Sequence, residues 1–279
     1  MQEHYFLFAL TLVFTIFATI QDLRTREVAN WLTFSLIAFA LAYRAFFSVA
    51  TKNIHFFLLG LLGFIVMLVL GNIFYYSKAF AGGDAKLLMG FGAIIPYQTY
   101  SHLLLFPIAF ILLLFLAGAL WSLAFSIFIV AKNKKSFVKE FKNLFKKYLP
   151  LLIFSLALFA ISLVAGFLQP LMLFIIPLSL IPILFIYTLS LEKCMIVLLP
   201  PNKLTEGDWL EKEIRLGKTT IKKSVHGLSY KEIQLLKKYN RPALIKQGIP
   251  FVPAFLIALI IMVLASATSL FPLPFSFLF

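Results

Sequence analysis

Long apolar runs recur along this chain: 5–20, 31–49, 56–76, 103–131, 148–168, 171–191 and a last one that follows Pro253 and reaches about Leu270. About 20 such residues cross the roughly 30 Å of hydrocarbon in a bilayer. The 279 residues are 62% hydrophobic, and 13% are charged, about half the share usual in a soluble domain. No soluble fold hides that much apolar surface. The expected architecture is therefore all-α, a polytopic bundle of membrane helices.

Charge placement orients the bundle. If the N-terminus lies outside, the polar segments 22–30, 77–86, 132–147 and 192–247 all fall inside. Together they hold every one of the 25 Lys and Arg except Arg44 and Lys52. Such asymmetry is the usual determinant of membrane topology. It predicts about eight crossings with both termini outside. Arg44, late in the second run, is expected to snorkel outward beside Lys52. The formal net charge of +14 is thus assigned to topology and contact with membrane lipid, not to nucleic acid.

The pattern divides the chain into four parts. Residues 1–131 form the core. Residues 132–191 hold a basic inner loop, with seven Lys and one Glu over 132–147, and two further spans. Residues 192–247 are a small cytoplasmic helical segment, and 248–279 are the final span and tail. Within 192–247 two helices are expected. One is capped by Thr205 and runs through Trp209 and Ile214 to Gly217. The other opens at Ser229-Tyr230-Lys231-Glu232, a capping box. Trp209 and Tyr230 are expected to pack this module together or onto the membrane.

One apolar stretch is too short to cross. Ala85 to Ile95 ends at Pro96, and at about 1.5 Å per residue it falls short of the bilayer core. It is either a shallow helix completed by its flanks or a re-entrant segment. Gly90 and Gly92 would let it pack closely on a neighbour. Just before it stands Ala81-Gly82-Gly83-Asp84. A carboxylate at membrane depth costs a few kcal/mol, so Asp84 either marks a functional site or lies in a polar turn between two spans and faces water. Gly82 and Gly83 leave room for another backbone to approach.

Asp is scarce, with only Asp22, Asp84 and Asp208. Asp22 closes the first run at its inner end, and Asp84 opens the short stretch at its inner end. The two face the same side at similar depth. Adjacent carboxyls share one proton and titrate as a unit. The ionised member can take a proton from water while the protonated member polarises a peptide carbonyl, as in aspartic proteases. That chemistry needs no metal and no cofactor. Cys194 is the only cysteine, which excludes an internal disulfide and any thiolate zinc cluster. His4, His55, His102 and His226 are scattered, and the first three read as interfacial residues outside.

Ala81-Gly82-Gly83-Asp84-Ala85-Lys86 resembles the GxGD motif of the type IV prepilin peptidases and archaeal preflagellin peptidases. The segment Asp22-Leu23-Arg24-Thr25-Arg26-Glu27-Val28-Ala29-Asn30 resembles the surroundings of that family's other catalytic aspartate. Residues 249–256, Ile-Pro-Phe-Val-Pro-Ala-Phe-Leu, are similar to its Pro-Phe-rich entry to the last helices. Ala81 stands where the motif's first Gly usually lies, and Ala29 where a Pro often precedes Asn. The cysteine cluster of many bacterial members is absent, so the resemblance is to the archaeal type.

The resemblance implies a membrane aspartic endopeptidase that removes basic leaders from prepilins or preflagellins at the cytoplasmic face. Asp22 and Asp84 would be the catalytic pair, with Gly82 and Gly83 receiving the scissile backbone. Lys86 and Asn30 would support the pair, although Lys86 also reads as a snorkelling lysine. The competing class is a proton-coupled secondary transporter, which also uses intramembrane Asp and broken helices. Both Asp residues sit near one face, and no inverted repeat is found, which favours the peptidase.

Overall fold

A computed structural model describes residues 2–97, 99–217, 219–224 and 227–268. Among them, six helical segments are long and apolar enough to cross a membrane. They include α1 (Gln2–Thr25), α2 (Asn30–Thr51), α3 (Ile54–Tyr76), α5 (His102–Lys132) and α7 (Leu149–Leu168). The sixth is Pro170–Cys194. It is not one continuous helix: a 3-10 turn (Pro170–Ile175), α8 (Ile176–Ser179) and α9 (Ile181–Cys194) follow one another. Pro170, Pro177 and Pro182 supply no backbone N–H, which breaks the ladder at each joint. Two shorter apolar helices complete the set, α4 (Gly82–Ile94) and α11 (Val252–Thr268).

The described residues form two compact units, one from the first 123 residues together with α11, the other from 124–249. In the first unit α1 packs on α2 and α11, and α4 packs chiefly on α3 and also on α2. Leu36, Met67, Leu88, Phe110 and Phe255 are fully buried at its centre. The closest crossing is between α3 and α4. A Cβ on Gly92 would lie 2.5 Å from the Gly63 carbonyl oxygen, and one on Gly63 would lie 2.7 Å from the Gly92 oxygen. Only two glycines permit this backbone contact.

The 13 residues of α4 rise about 20 Å, short of the hydrocarbon thickness. Its last carbonyls therefore end inside the apolar unit, where an unpaired polar group costs several kcal/mol. Arg44 resolves this, and it corrects the sequence expectation. The side chain does not snorkel outward; its exposure is 0%. Its Nε donates to the Ala93 oxygen at 2.7 Å, and its Nη2 donates to Ile95 at 2.7 Å and Ile94 at 3.3 Å. Nη1 donates to the Phe56 oxygen at 2.8 Å. The guanidinium also lies over the Phe56 ring. Gly60 leaves the space that Arg44 occupies. Snorkelling requires a face toward lipid; Arg44 faces α3 and the end of α4 instead.

Three further expectations change. Residues 134–147 are not a loop but a helix, α6 (Lys134–Lys147). His4 is not interfacial but buried, with its ring 5.5 Å from that of Phe56. The expected helix over 205–217 is absent. In its place stand β2 (Trp209–Leu210) and β3 (Ile214–Leu216), the latter paired with β4 (Thr219–Ile221). Thr205 donates its N–H to Asp208 Oδ2 at 2.8 Å, forming a tight turn in place of a helix cap. Gly207 and Gly217 have φ of +91° and +60°, values no α-helix admits. The module thus contains a small sheet: β1 (Ile196–Leu199), β5 (Ala243–Lys246) and β2 pair antiparallel in the order β1-β5-β2.

The second expected helix is present as α10 (Tyr230–Lys238), opened by the Ser229–Glu232 capping box. It buries Ile233 and Leu236 against Leu204, Leu210, Leu216 and Ile245. Trp209 and Tyr230 are both exposed, so neither holds this module together. His226 and the end of the last run at Leu270 lie outside the described residues.

Candidate active site

The site is built from the end of α1, the turn after it, and the start of α4. Arg26 takes a left-handed conformation (φ 61°) and donates its N–H to the Asp22 carbonyl, which ends α1 and reverses the chain. Gln21 Oε1 accepts the Ala29 N–H at 3.1 Å, tying the turn back onto α1. The turn lies against the start of α4: a Cβ on Gly83 would stand 3.4 Å from the Val28 Cβ. Asn30, the first residue of α2, accepts a hydrogen bond from Lys86 Nζ at 2.7 Å. Lys86 and Asn30 are therefore brought together, and Lys86 clamps α4 to the start of α2. Neither Gln21 nor Asn30 spends these bonds on a carboxylate.

Asp84 lies in the first turn of α4. It is half-buried and within Coulombic reach of Asp22. Asp22 is 6% exposed. Its Oδ2 accepts the Val252 N–H at 2.9 Å, across 230 positions of sequence. Val252 opens α11, so its N–H is one of the donors a helix start leaves without an internal partner. Trp121 Nε1 donates to the Pro250 oxygen at 2.8 Å and holds this entry in place. Beneath the site Phe80 is buried among the rings of Phe74, Phe115, Phe251 and Phe255.

The structure thus brings Asp22 and Asp84 together, with Gly82, Gly83, Lys86 and Asn30 around them. Gly83 faces the 26–29 turn, whereas a Cβ on Gly82 would meet only the Tyr75 ring, at 3.6 Å. Two participants were not read from the sequence as site groups. Arg26, read as a topology determinant, lies within Coulombic reach of Asp22. The Val252 N–H is the other; its only sequence signal was the pair Pro250 and Pro253 around it. Among the described residues no three His, Cys, Asp or Glu side chains gather as a metal site would require. The arrangement is a carboxylate pair at the margin of an apolar unit, open to acid–base chemistry on a bound backbone.

A family model described as the type IV leader peptidase family matches residues 9–131. The preflagellin peptidase of Methanococcus voltae is 29% identical over 154 residues, which cover 52% of this chain and 65% of that protein. That of Methanocaldococcus jannaschii is 35% identical over 88 residues, 31% of this chain and 37% of the relative. That of Methanococcus maripaludis is 30% identical over 81 residues, 29% of this chain and 35% of the relative. The chain therefore spans less than two thirds of the curated relatives it matches. No solved structure matches it.

Proposed function

We propose, for a chain that belongs through residues 9–131 to the type IV leader peptidase family, that it is a membrane aspartic endopeptidase. Its substrates are preflagellin-like or prepilin-like proteins, and it cleaves their leaders at the cytoplasmic face. The observation that carries the reading is the pair Asp22 and Asp84, joined at one end of the unit although 62 positions separate them.

The Val252 N–H and the start of α11 favour negative charge on Asp22, which suits it to be the ionised member. Asp22 takes a proton from water as the water oxygen bonds to the scissile carbonyl carbon. Asp84, protonated, hydrogen-bonds the carbonyl oxygen as charge develops there. When the C–N bond breaks, a carboxyl proton passes to the leaving nitrogen, giving a leader carboxylate and a new amino terminus. Gly82 offers the approach for the extended scissile segment.

Arg26 lies within Coulombic reach of Asp22, and Arg24 and Lys86 stand two residues from Asp22 and Asp84 in sequence, so charge attraction does not explain the binding of a basic leader. Recognition rests mainly on the substrate's apolar helix between spans, and a charge there must be desolvated at the site. The test is cleavage of a leader-bearing preflagellin by the protein in proteoliposomes, read by gel shift. Loss of cleavage in Asp22→Asn and in Asp84→Asn, with normal insertion, is expected. Full cleavage by either variant overturns the pair. Uptake of a solute down a proton gradient without any cleavage overturns the peptidase reading in favour of a carrier.

A further inference from the structure

The helix α6 carries a surface that the peptidase reading does not use. Its sequence is KKSFVKEFKNLFKK, and it buries no residue fully. At 3.6 residues per turn its side chains fall into three adjoining bands. Phe137, Phe141 and Leu144 are half-buried. Phe137 meets the Tyr187 ring of α9 at 5.5 Å. Beside that band lie Val138 and Phe145, each 39% exposed. Beyond them Lys135, Lys139, Lys142 and Lys146 form a continuous stripe, all exposed.

A shallow groove follows the boundary between the apolar edge and the stripe, lined by Phe137, Val138, Phe141, Lys142, Phe145 and Lys146. A second groove next to it is lined by Lys134, Lys135, Val138, Lys139 and Lys142. Neither contains a residue of the carboxylate pair.

Connectivity decides what can reach this surface. Only Asn133 separates α6 from the end of α5, and only Tyr148 separates it from α7. Both neighbours are helices long and apolar enough to cross a membrane. The chain therefore holds α6 at a bilayer surface whatever else binds. A basic helix with an apolar edge, held there, meets the acyl boundary with the edge and anionic headgroups with the lysines. Glu140, the helix's only acidic residue, lies off the stripe toward Cys194 of α9.

We propose that α6 is an in-plane anionic-lipid site. Val138 and Phe145 enter the acyl boundary, and Lys135, Lys139, Lys142 and Lys146 hold lipid phosphates.

The test uses the full chain with Cys194→Ser, nitroxide-labelled at Val138→Cys, Phe145→Cys or Asn143→Cys, in nanodiscs of phosphatidylcholine with or without phosphatidylglycerol. With anionic lipid, labels at 138 and 145 should collide with oxygen as buried acyl positions do, while 143 stays accessible to a water-soluble relaxant. Replacing the four stripe lysines by Gln should lift 138 back into water and lower co-purified anionic lipid, by roughly five-fold per lysine. The matching Arg variant should retain both. Labels at 138 and 145 as wet as 143 in both bilayers would overturn the site. So would a label sheltered from both relaxants, which a covering protein would produce. An unchanged depth in the Gln variant overturns the role of the lysines.

Discussion

The two ends of α4 face the same physical problem and meet it differently. Each end of a helix leaves backbone groups without partners, and here both lie in or beside apolar packing. At the C-terminal end Arg44 donates to three successive carbonyls and to Phe56, with no exposed surface left. At the N-terminal end Asp84 stands half-buried beside Asp22. One charge is spent on holding the helix. The other remains available for chemistry. A buried charge in this fold is thus structural where, as at Arg44, its hydrogen bonds go to the backbone carbonyls of a helix end.

The largest effect that could break this contrast is at the carboxylates. Asp22→Asn and Asp84→Asn should each lower leader cleavage by at least ~10²–10⁴-fold, with thermal unfolding in detergent shifted little. Asp208→Asn, in the polar module, should cleave as the unchanged protein does.

Arg44→Met should show the opposite profile. It strands the carbonyls of Ala93, Ile94 and Ile95, each worth about 1–3 kcal/mol when left without a partner. Unfolding temperature should fall sharply, and whatever protein folds should still cleave. A stable Arg44→Met protein would mean that water or another group reaches the end of α4.

Gly92→Ala probes the crossing that sets the depth of α4. The added methyl meets the Gly63 oxygen and Met67, which should cost about 1–3 kcal/mol. Cleavage should drop together with stability, because the crossing positions the helix that carries Asp84. Lys86→Met removes the bond to Asn30 and should lower cleavage several-fold with little loss of stability. Lys86→Arg should partly restore it.

The smallest effect belongs to the polar module. Burial raises the Glu211 carboxyl, but Lys193, Lys223 and Lys246 outweigh it and hold it below its ordinary value of 4.5. A lowered carboxyl stabilises the fold above its unfolded value, and that contribution disappears as pH falls through the folded one. Melting followed by Trp209 fluorescence should show a slight acid loss that Glu211→Gln abolishes. Lys193 and Lys223 are exposed, so the effect is small.

Much of the site was legible because its signals are local. The apolar runs, the Gly-Gly-Asp at the start of a short run, and an Asp closing the first run can all be read from spacing. Ser229 and Glu232 announce α10 by a contact only three positions long. The strands over 196–246 were not legible in the same way. Thr205 reads as a helix cap ahead of Trp209 and Ile214, and only the pairing of Trp209 with β5 and of Ile214 with β4, together with the left-handed glycines, decides against a helix. The lysines of 132–147 drew attention to charge, although Phe137, Phe141, Leu144 and Phe145 repeat at helical spacing.

The sequence by itself determined that this chain is an all-α membrane bundle, with one aspartate closing the first apolar run and another opening the short one. Hydropathy and periodicity act over a single turn or a single span, so they survive without knowledge of neighbours. The tertiary structure alone decided the use of each charge. Arg44 became a helix-end clamp because α4 stops beside it, and Asp22 gained its N–H from Val252 because α11 packs on α1. Those partners lie far apart in sequence, and only the packing of helices, set by small residues such as Gly63 and Gly92, brings them within hydrogen-bonding distance.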